Sequence, residues 1–139
     1  MVETYLNNIK LVQTLSRSYG FTSLFYWQPV IYMKQHLTEY ERQSLELDVH
    51  YPGMKEFYLD TYAALRKNSA ELDKSAPFHD ISSIFGDVHE PIFVDFNHMG
   101  GKGNSFIARR MAEDFARCLK VNTKSPVRGK AGEPMARSE

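Results

Sequence analysis

A helix, a glycine and a short apolar strand follow one another at the start of this chain, and that order constrains the fold most. Between Glu3 and Tyr19, Leu6, Ile9, Val12, Leu15 and Tyr19 recur at three- and four-residue spacing, the period of an amphipathic α-helix. Gly20 follows and can supply the C-cap. The run Thr22-Ser23-Leu24-Phe25-Tyr26-Trp27 is short, aromatic and ended by Gln28-Pro29, so it reads as a buried strand. Helix, glycine and short apolar strand are the units of an α/β layer fold. A second short strand is predicted at Ile92-Phe93-Val94. Two strands far apart in sequence, with helices between them, fit adjacent parallel strands of a larger sheet.

The remaining segments are mostly helical. Val30 to Leu37 is a loop with local structure near Ile31, Tyr32 and Met33. Thr38-Glu39-Tyr40-Glu41 is a capping box, with Thr38 as N-cap and Glu41 reaching back to its amide; it opens a helix to about Leu47, broken at Tyr51-Pro52-Gly53. A longer helix is expected from about Gly53 to Leu72, with Met54, Phe57, Tyr58, Thr61, Tyr62 and Leu65 on one stripe. Phe78 to Phe85 reads as a loop or short turn with apolar anchors. The last helix starts at about Gly103 or Asn104. Ile107, Met111, Ala112, Phe115, Cys118 and Leu119 form its predicted buried face, while Arg109, Arg110, Glu113, Asp114 and Arg117 are predicted to be solvated.

Charge is balanced overall, with 17 basic and 17 acidic residues. The balance hides an asymmetry: Lys120, Lys124, Arg128, Lys130 and Arg137 against Glu133 and Glu139 make residues 120–139 net +3 and the body −3. An acidic body argues against nucleic acid, which requires a clustered positive surface. Residues 120–139 hold few large apolar side chains and are expected to form a disordered polar tail after an ordered unit spanning 1–119. The single cysteine, Cys118, excludes an internal disulfide framework. No stretch approaches the ~20 apolar residues that span a bilayer.

The chemistry lies in Asp95-Phe96-Asn97-His98, followed by Gly100-Gly101-Lys102-Gly103-Asn104. In an open parallel sheet the active site gathers at the carboxyl ends of strands. Asp95 follows the predicted strand, and a turn can fold His98 back so that its Nδ1–H reaches the carboxylate. A carboxylate that orients an imidazole is two thirds of a serine hydrolase triad. On spacing alone an Asp-x-x-His pair is common, and a surface Asp beside a locally bonded His remains an alternative.

The stretch Glu90 to Ala108 closely resembles the last block of the SGNH hydrolase superfamily, the GDSL-type esterases and lipases. Asp95 matches the triad acid and His98 the triad base. Gly103-Asn104 matches the pair that opens the C-terminal helix, and Ile107-Ala108 the pair within it; Asn104 is not the family's catalytic asparagine. The resemblance covers Tyr5 to Leu119. It implies an α/β fold: a partial three-layer α/β/α sandwich with a parallel sheet, the C-terminal part of an SGNH-like, flavodoxin-type domain. It also implies hydrolysis of a small-molecule carboxylic ester by a serine nucleophile, without metal or organic cofactor. The family accepts lipids, acetylated sugars, thioesters and small esters.

This chain departs from the family pattern at the nucleophile. It contains no Gly-Asp-Ser; its only Gly-Asp, Gly86-Asp87, is followed by Val88. The oxyanion glycine and the Gly-x-Asn-Asp motif have no counterpart. The expectation is therefore a fragment that supplies the acid and base of a Ser-His-Asp triad and is inactive alone. The alternative is a non-catalytic helical adaptor, or a degenerate remnant, in which Asp95 and His98 are accidental and the aromatic stripes form a partner surface. The two readings differ in geometry, because the first requires Asp95 to bond His98 with the other ring nitrogen open.

Other residues read as structural. His89 is a turn histidine, Cys118 a small core residue, and Ser105 a first-turn helix residue. Lys102 is a solvated loop lysine. His79, Asp80 and His98 match no metal-ligand spacing. Trp27 and the nearby tyrosines are core residues or, alternatively, lining for an acyl or sugar pocket.

Overall fold

In a computed structural model, residues 1–47, 52–70, 72 and 78–122 are described. The chain forms a mixed α/β structure in the order α1 (Val2–Tyr19), β1 (Phe25–Trp27), a 3-10 turn (Ile31–Met33), α2 (Glu39–Leu47), α3 (Met54–Ser69), β2 (Phe78–Asp80) and α4 (Gly101–Asn122). The two strands pair in parallel, with Phe25 opposite Phe78, Tyr26 opposite His79 and Trp27 opposite Asp80.

The sheet partner of β1 is not the expected one. Phe78–Asp80, predicted as loop or turn, is the second strand. Ile92-Phe93-Val94, predicted as strand, takes part only in an isolated antiparallel bridge between Phe93 and Met99. The physical reason lies in its amides. The N–H groups of Ile92 and Phe93, consecutive in sequence, both converge on Glu41 Oε1. Successive amides of an extended ladder strand point to opposite sides, so a backbone whose neighbouring amides share one acceptor cannot pair as a strand there.

The first face of the sheet carries Phe25, Trp27 and Phe78 against a core of Leu6, Ile9, Leu65 and Leu72. α1 and α3 supply Leu6, Ile9 and Leu65, and Leu72 follows the end of α3. Trp27 meets Tyr5 edge-on at 4.9 Å and Tyr62 at 5.3 Å, so it packs as core. The opposite face presents Tyr26 stacked on His79, and there His79 meets Asp114 of α4. Gly20 closes α1 in the left-handed conformation at φ 70°, its N–H donating to Ser16.

Two predicted helix faces are corrected. In α1 the buried residues are Leu6, Ile9 and Gln13, while Leu15 and Tyr19 are exposed. In the C-terminal half of α1 the apolar Leu15 and Tyr19 thus face solvent, while the polar Gln13 is the buried residue. In α4, Met111, Phe115 and Leu119 are exposed, and Asp114 is buried. α4 turns its Arg110, Asp114 and Cys118 edge inward, because His79 offers the Asp114 carboxylate a partner and Arg110 and Arg117 neutralise it. The helix also runs on to Asn122, beyond the predicted boundary at residue 119. Residues 123–139 of the predicted tail, and the Tyr51 part of the predicted helix break, lie outside the described residues.

A second core joins the 3-10 turn to the segment before α4. Ile31, Phe85, Ile92 and Phe93 are fully enclosed, and Phe85 meets Phe93 edge-on at 5.6 Å. Burying side chains of this size contributes about 1.5–3 kcal/mol each. This core lies directly beneath the loop that carries Asp95 and His98. No helix among the described residues is long and apolar enough to cross a membrane.

Candidate active site

Asp95 and His98 sit at the tip of a tight hairpin between Ile92 and Gly100. The Val94 amide donates to the His98 carbonyl at 2.9 Å, and the Gly100 amide to the Ile92 carbonyl at 2.8 Å. These two bonds return the chain on itself and fold His98 back towards Asp95. Inside the turn, Asp95 Oδ1 accepts the amides of Asn97 at 2.9 Å and His98 at 2.7 Å. An aspartate carboxylate commonly replaces backbone acceptors in this way. Its second oxygen, Oδ2, lies 2.7 Å from His98 Nδ1.

The electrostatics assign the proton. Partial burial favours the neutral acid, but the amides of His98 and Asn97 and the His98 ring outweigh it. They hold the Asp95 carboxyl below its usual range. An ionised carboxylate only accepts hydrogen bonds, so Nδ1 of a neutral His98 carries the hydrogen and Nε2 is left as the free base nitrogen. Nε2 has no protein partner among the described residues, and the ring is 73 % exposed. The arrangement can orient an imidazole, fix its tautomer and stabilise the imidazolium that forms when it takes a proton.

The hairpin is held from three sides. Ile31 donates its amide to the Phe96 carbonyl at 3.0 Å. Ser44 Oγ of α2 donates to the Val94 carbonyl at 2.9 Å. Beneath, Glu41 Oε1 accepts the amides of Ile92 at 2.9 Å and Phe93 at 3.1 Å. The other Glu41 oxygen makes the predicted capping box, with the Thr38 amide at 2.9 Å, and also receives the Thr38 hydroxyl and Lys34 Nζ, the latter at 2.6 Å. Both the Lys34 and Glu41 side chains are fully enclosed. Burial pushes the Glu41 carboxyl up, but the Lys34 ammonium and the amides of Thr38, Ile92 and Phe93 outweigh it and bring its pKa down to about 2. Lys34 completes its bonding with the Glu90 carbonyl at 2.7 Å.

Glycine is required at one supporting position. A Cβ on Gly103 would lie 2.8 Å from Ile92 Cγ2 and 3.0 Å from Met99 Cβ. Gly103 therefore lets the first turn of α4 press against both strands of the hairpin.

The other singled-out residues fall away from this tip. Lys102 pairs with Glu90 at 2.7 Å, and Ser105 Oγ donates to the Gly101 carbonyl within the first turn of α4. His89 stacks on His36 with ring centres 4.1 Å apart. Asp80 bonds Arg66, and Ser82 is buried between them. His79 Nδ1 lies 3.3 Å from Asp114 Oδ2; burial lowers its pKa, which the Asp114 carboxylate opposes. That pair is a second Asp–His couple, but it is enclosed between sheet and helix, with Asp114 only 2 % exposed. No cluster of three or more His, Cys, Asp or Glu suited to a metal ion occurs among the described residues.

The sequence signals the Asp95–His98 contact and the capping role of Glu41, but not the second role of Glu41. The Thr38–Glu41 box signals only the local half of its bonding; its partners Ile92 and Phe93 lie more than fifty positions away. Asp114 was also missed, since its neighbours Arg110 and Arg117 at helical spacing suggest an exposed ion-pair face. The chain matches no protein-family model, no curated protein and no solved structure.

Proposed function

We propose that Asp95 and His98 are the acid and base of a serine esterase of the SGNH type. The serine comes from polypeptide other than these 139 residues. The observation that carries the reading is the Asp95 Oδ2–His98 Nδ1 bond of 2.7 Å with Nε2 open. Within that reading the two-stranded sheet is part of a larger parallel sheet in a three-layer, flavodoxin-type sandwich. Helices on both faces of β1 and β2 are in keeping with it.

The reaction is acyl transfer to water. The serine attacks the carbonyl of a small-molecule carboxylic ester while His98 Nε2 takes its proton. Asp95 holds the imidazole and stabilises the imidazolium. His98 then returns the proton to the leaving alcohol, and a second cycle with water as nucleophile releases the acid. The oxyanion donors belong with the serine.

The test starts from the coding DNA upstream of Met1. An open frame encoding Gly-Asp-Ser, an oxyanion glycine and Gly-x-Asn-Asp is expected, and the extended polypeptide should react with a fluorophosphonate and hydrolyse aryl acetates. Loss of both on His98→Ala would assign the base. Stop codons directly upstream, or an extended protein whose hydrolysis survives His98→Ala, would overturn the proposal.

The exposed α4 stripe of Met111, Phe115 and Leu119 favours the second reading, a surface that binds a partner without catalysis. That reading leaves the His98 geometry without a role, so it stands second.

A further inference from the structure

We propose that Glu41 is a positioning residue for the Asp95–His98 couple. Its buried carboxylate sets the backbone from which Asp95 is presented to the imidazole. A catalytic consequence of this coupling rests on the esterase reading, whereas the structural coupling does not.

Glu41 Oε1 accepts the consecutive amides of Ile92 and Phe93. Two neighbouring amides aimed at one acceptor fix the peptide plane between them. Phe93 bridges Met99 across the hairpin, and the Val94–His98 bond follows directly. Any rotation of the Ile92–Phe93 peptide therefore moves both ends of the loop that places Asp95 Oδ2 against His98 Nδ1. His98 at the tip is exposed, and the apolar support of the turn is the enclosed Phe93 with the partly buried Phe96 and Met99 packed on the same core. Glu41 is the polar group beneath that support, enclosed on all sides.

The rest of the Glu41 surroundings explain why the oxygen cannot move. Its second oxygen is bonded to Lys34 Nζ and to the amide and hydroxyl of Thr38. Lys34 is in turn held by the Glu90 carbonyl, while the Glu90 carboxylate looks outward to Lys102. Cap, cation and hairpin thus share one carboxylate, so α2, the 3-10 turn and the hairpin form one unit. A buried ion pair often stabilises no better than apolar groups of the same size. Here its second service is to supply an acceptor that an apolar pair lacks.

The experiment replaces the pair in the full chain and reads His98 directly. Long-range 1H–15N spectra at neutral pH distinguish the Nδ1–H from the Nε2–H tautomer. Hydrogen exchange reads the Asn97 and His98 amides that donate to Asp95. Lys34→Met/Glu41→Leu keeps the volume and removes the acceptor. Glu41→Asp keeps the charge opposite Lys34 but withdraws the oxygens by one methylene.

Wild-type His98 is expected as one dominant Nδ1–H tautomer. Both variants should show a tautomer mixture shifted towards Nε2–H, with lost protection at Asn97 and His98. Lys34→Met/Glu41→Gln, which retains an oxygen for the two amides, should restore the wild-type pattern. If Lys34→Met/Glu41→Leu does not fold, Glu41→Asp alone decides. A folded acceptor-deficient variant with lower stability but an unchanged His98 tautomer and unchanged amide protection would overturn the proposal and leave Glu41 purely structural. Because no step reads hydrolysis, failure of the esterase reading leaves this outcome interpretable on its own.

Discussion

Lys34 Nζ and Glu41 Oε2 meet at 2.6 Å with both side chains fully enclosed, directly beneath a hairpin whose tip is exposed. A buried charge left without its partner costs far more than a surface one. Glu41→Ala is therefore expected to destabilise the chain by about 3–5 kcal/mol. Arg42→Ala removes exposed contacts, the pair with Glu39 on the same helix and a bond to the Leu37 carbonyl, which together are expected to cost about 1 kcal/mol. Urea denaturation followed by circular dichroism compares the two. Equal losses would show that the Lys34–Glu41 pair is not enclosed in solution.

Acid should weaken the fold through the same carboxylate. The folded-state pKa of Glu41 lies at about 2, against an ordinary value of 4.5. A depressed carboxylate stabilises the fold fully above its unfolded pKa and loses that contribution as pH falls towards its folded one. The Glu41 contribution is thus expected to be level at neutral pH and to be lost between about pH 4.5 and 2. Asp80 and Asp95, also lowered, act in the same direction. Denaturation midpoints at stepped pH check this, and Lys34→Met/Glu41→Gln should flatten the acid limb.

Asp95→Asn tests the tip. The amide side chain keeps an oxygen for the Asn97 and His98 amides but offers N–H where Nδ1–H now donates. His98 should then carry its hydrogen on Nε2, the wrong tautomer for a base. On the proposed esterase reading, kcat of the serine-bearing protein is expected to fall about 10⁴-fold, the scale seen for the corresponding change in serine proteases. Hydrolysis measured against wild type checks it, with thermal unfolding as the control.

Gly103→Ala separates helix propensity from packing. In an exposed helix the change would gain about 1 kcal/mol. Here the new Cβ falls 2.8 Å from Ile92 Cγ2, and overpacking of this kind costs about 1–3 kcal/mol. A net loss of stability is expected, with the Ile92 and Met99 resonances shifted. A stabilised variant would mean that the α4–hairpin contact is looser than this geometry requires.

Phe115 and Phe93 should behave oppositely. Phe115 is 51 % exposed and Phe93 is enclosed. Phe115→Ser is expected to change stability by less than about 0.5 kcal/mol, whereas Phe93→Ala should cost about 3–5 kcal/mol. Denaturation of each variant measures both. A large loss at Phe115 would restore the buried α4 face that periodicity suggests.

Much of the molecule is legible along the chain because its causes are local. Gly20 stops α1 by taking a left-handed conformation next to it. Thr38 and Glu41 start α2 within four residues. Asp95 gathers amides two and three positions on, and its bond to His98 closes within the same turn. These helix ends and the bonds inside the Asp95–His98 turn close between neighbours in sequence, whereas the frame beneath that turn is bonded to the distant Glu41.

Tertiary structure decided what depends on distant partners. Phe78–Asp80 is a strand because β1 lies beside it, and Ile92-Phe93-Val94 is not one because Glu41 takes the amides of Ile92 and Phe93. Both runs are short and apolar or mixed, so periodicity alone cannot rank them. The inward edge of α4 was likewise decided from outside, since His79 on the sheet made the Asp114 edge the one to bury. A strand is defined by its pairing and a buried carboxylate by its donors. Neither is a property of the segment that carries it.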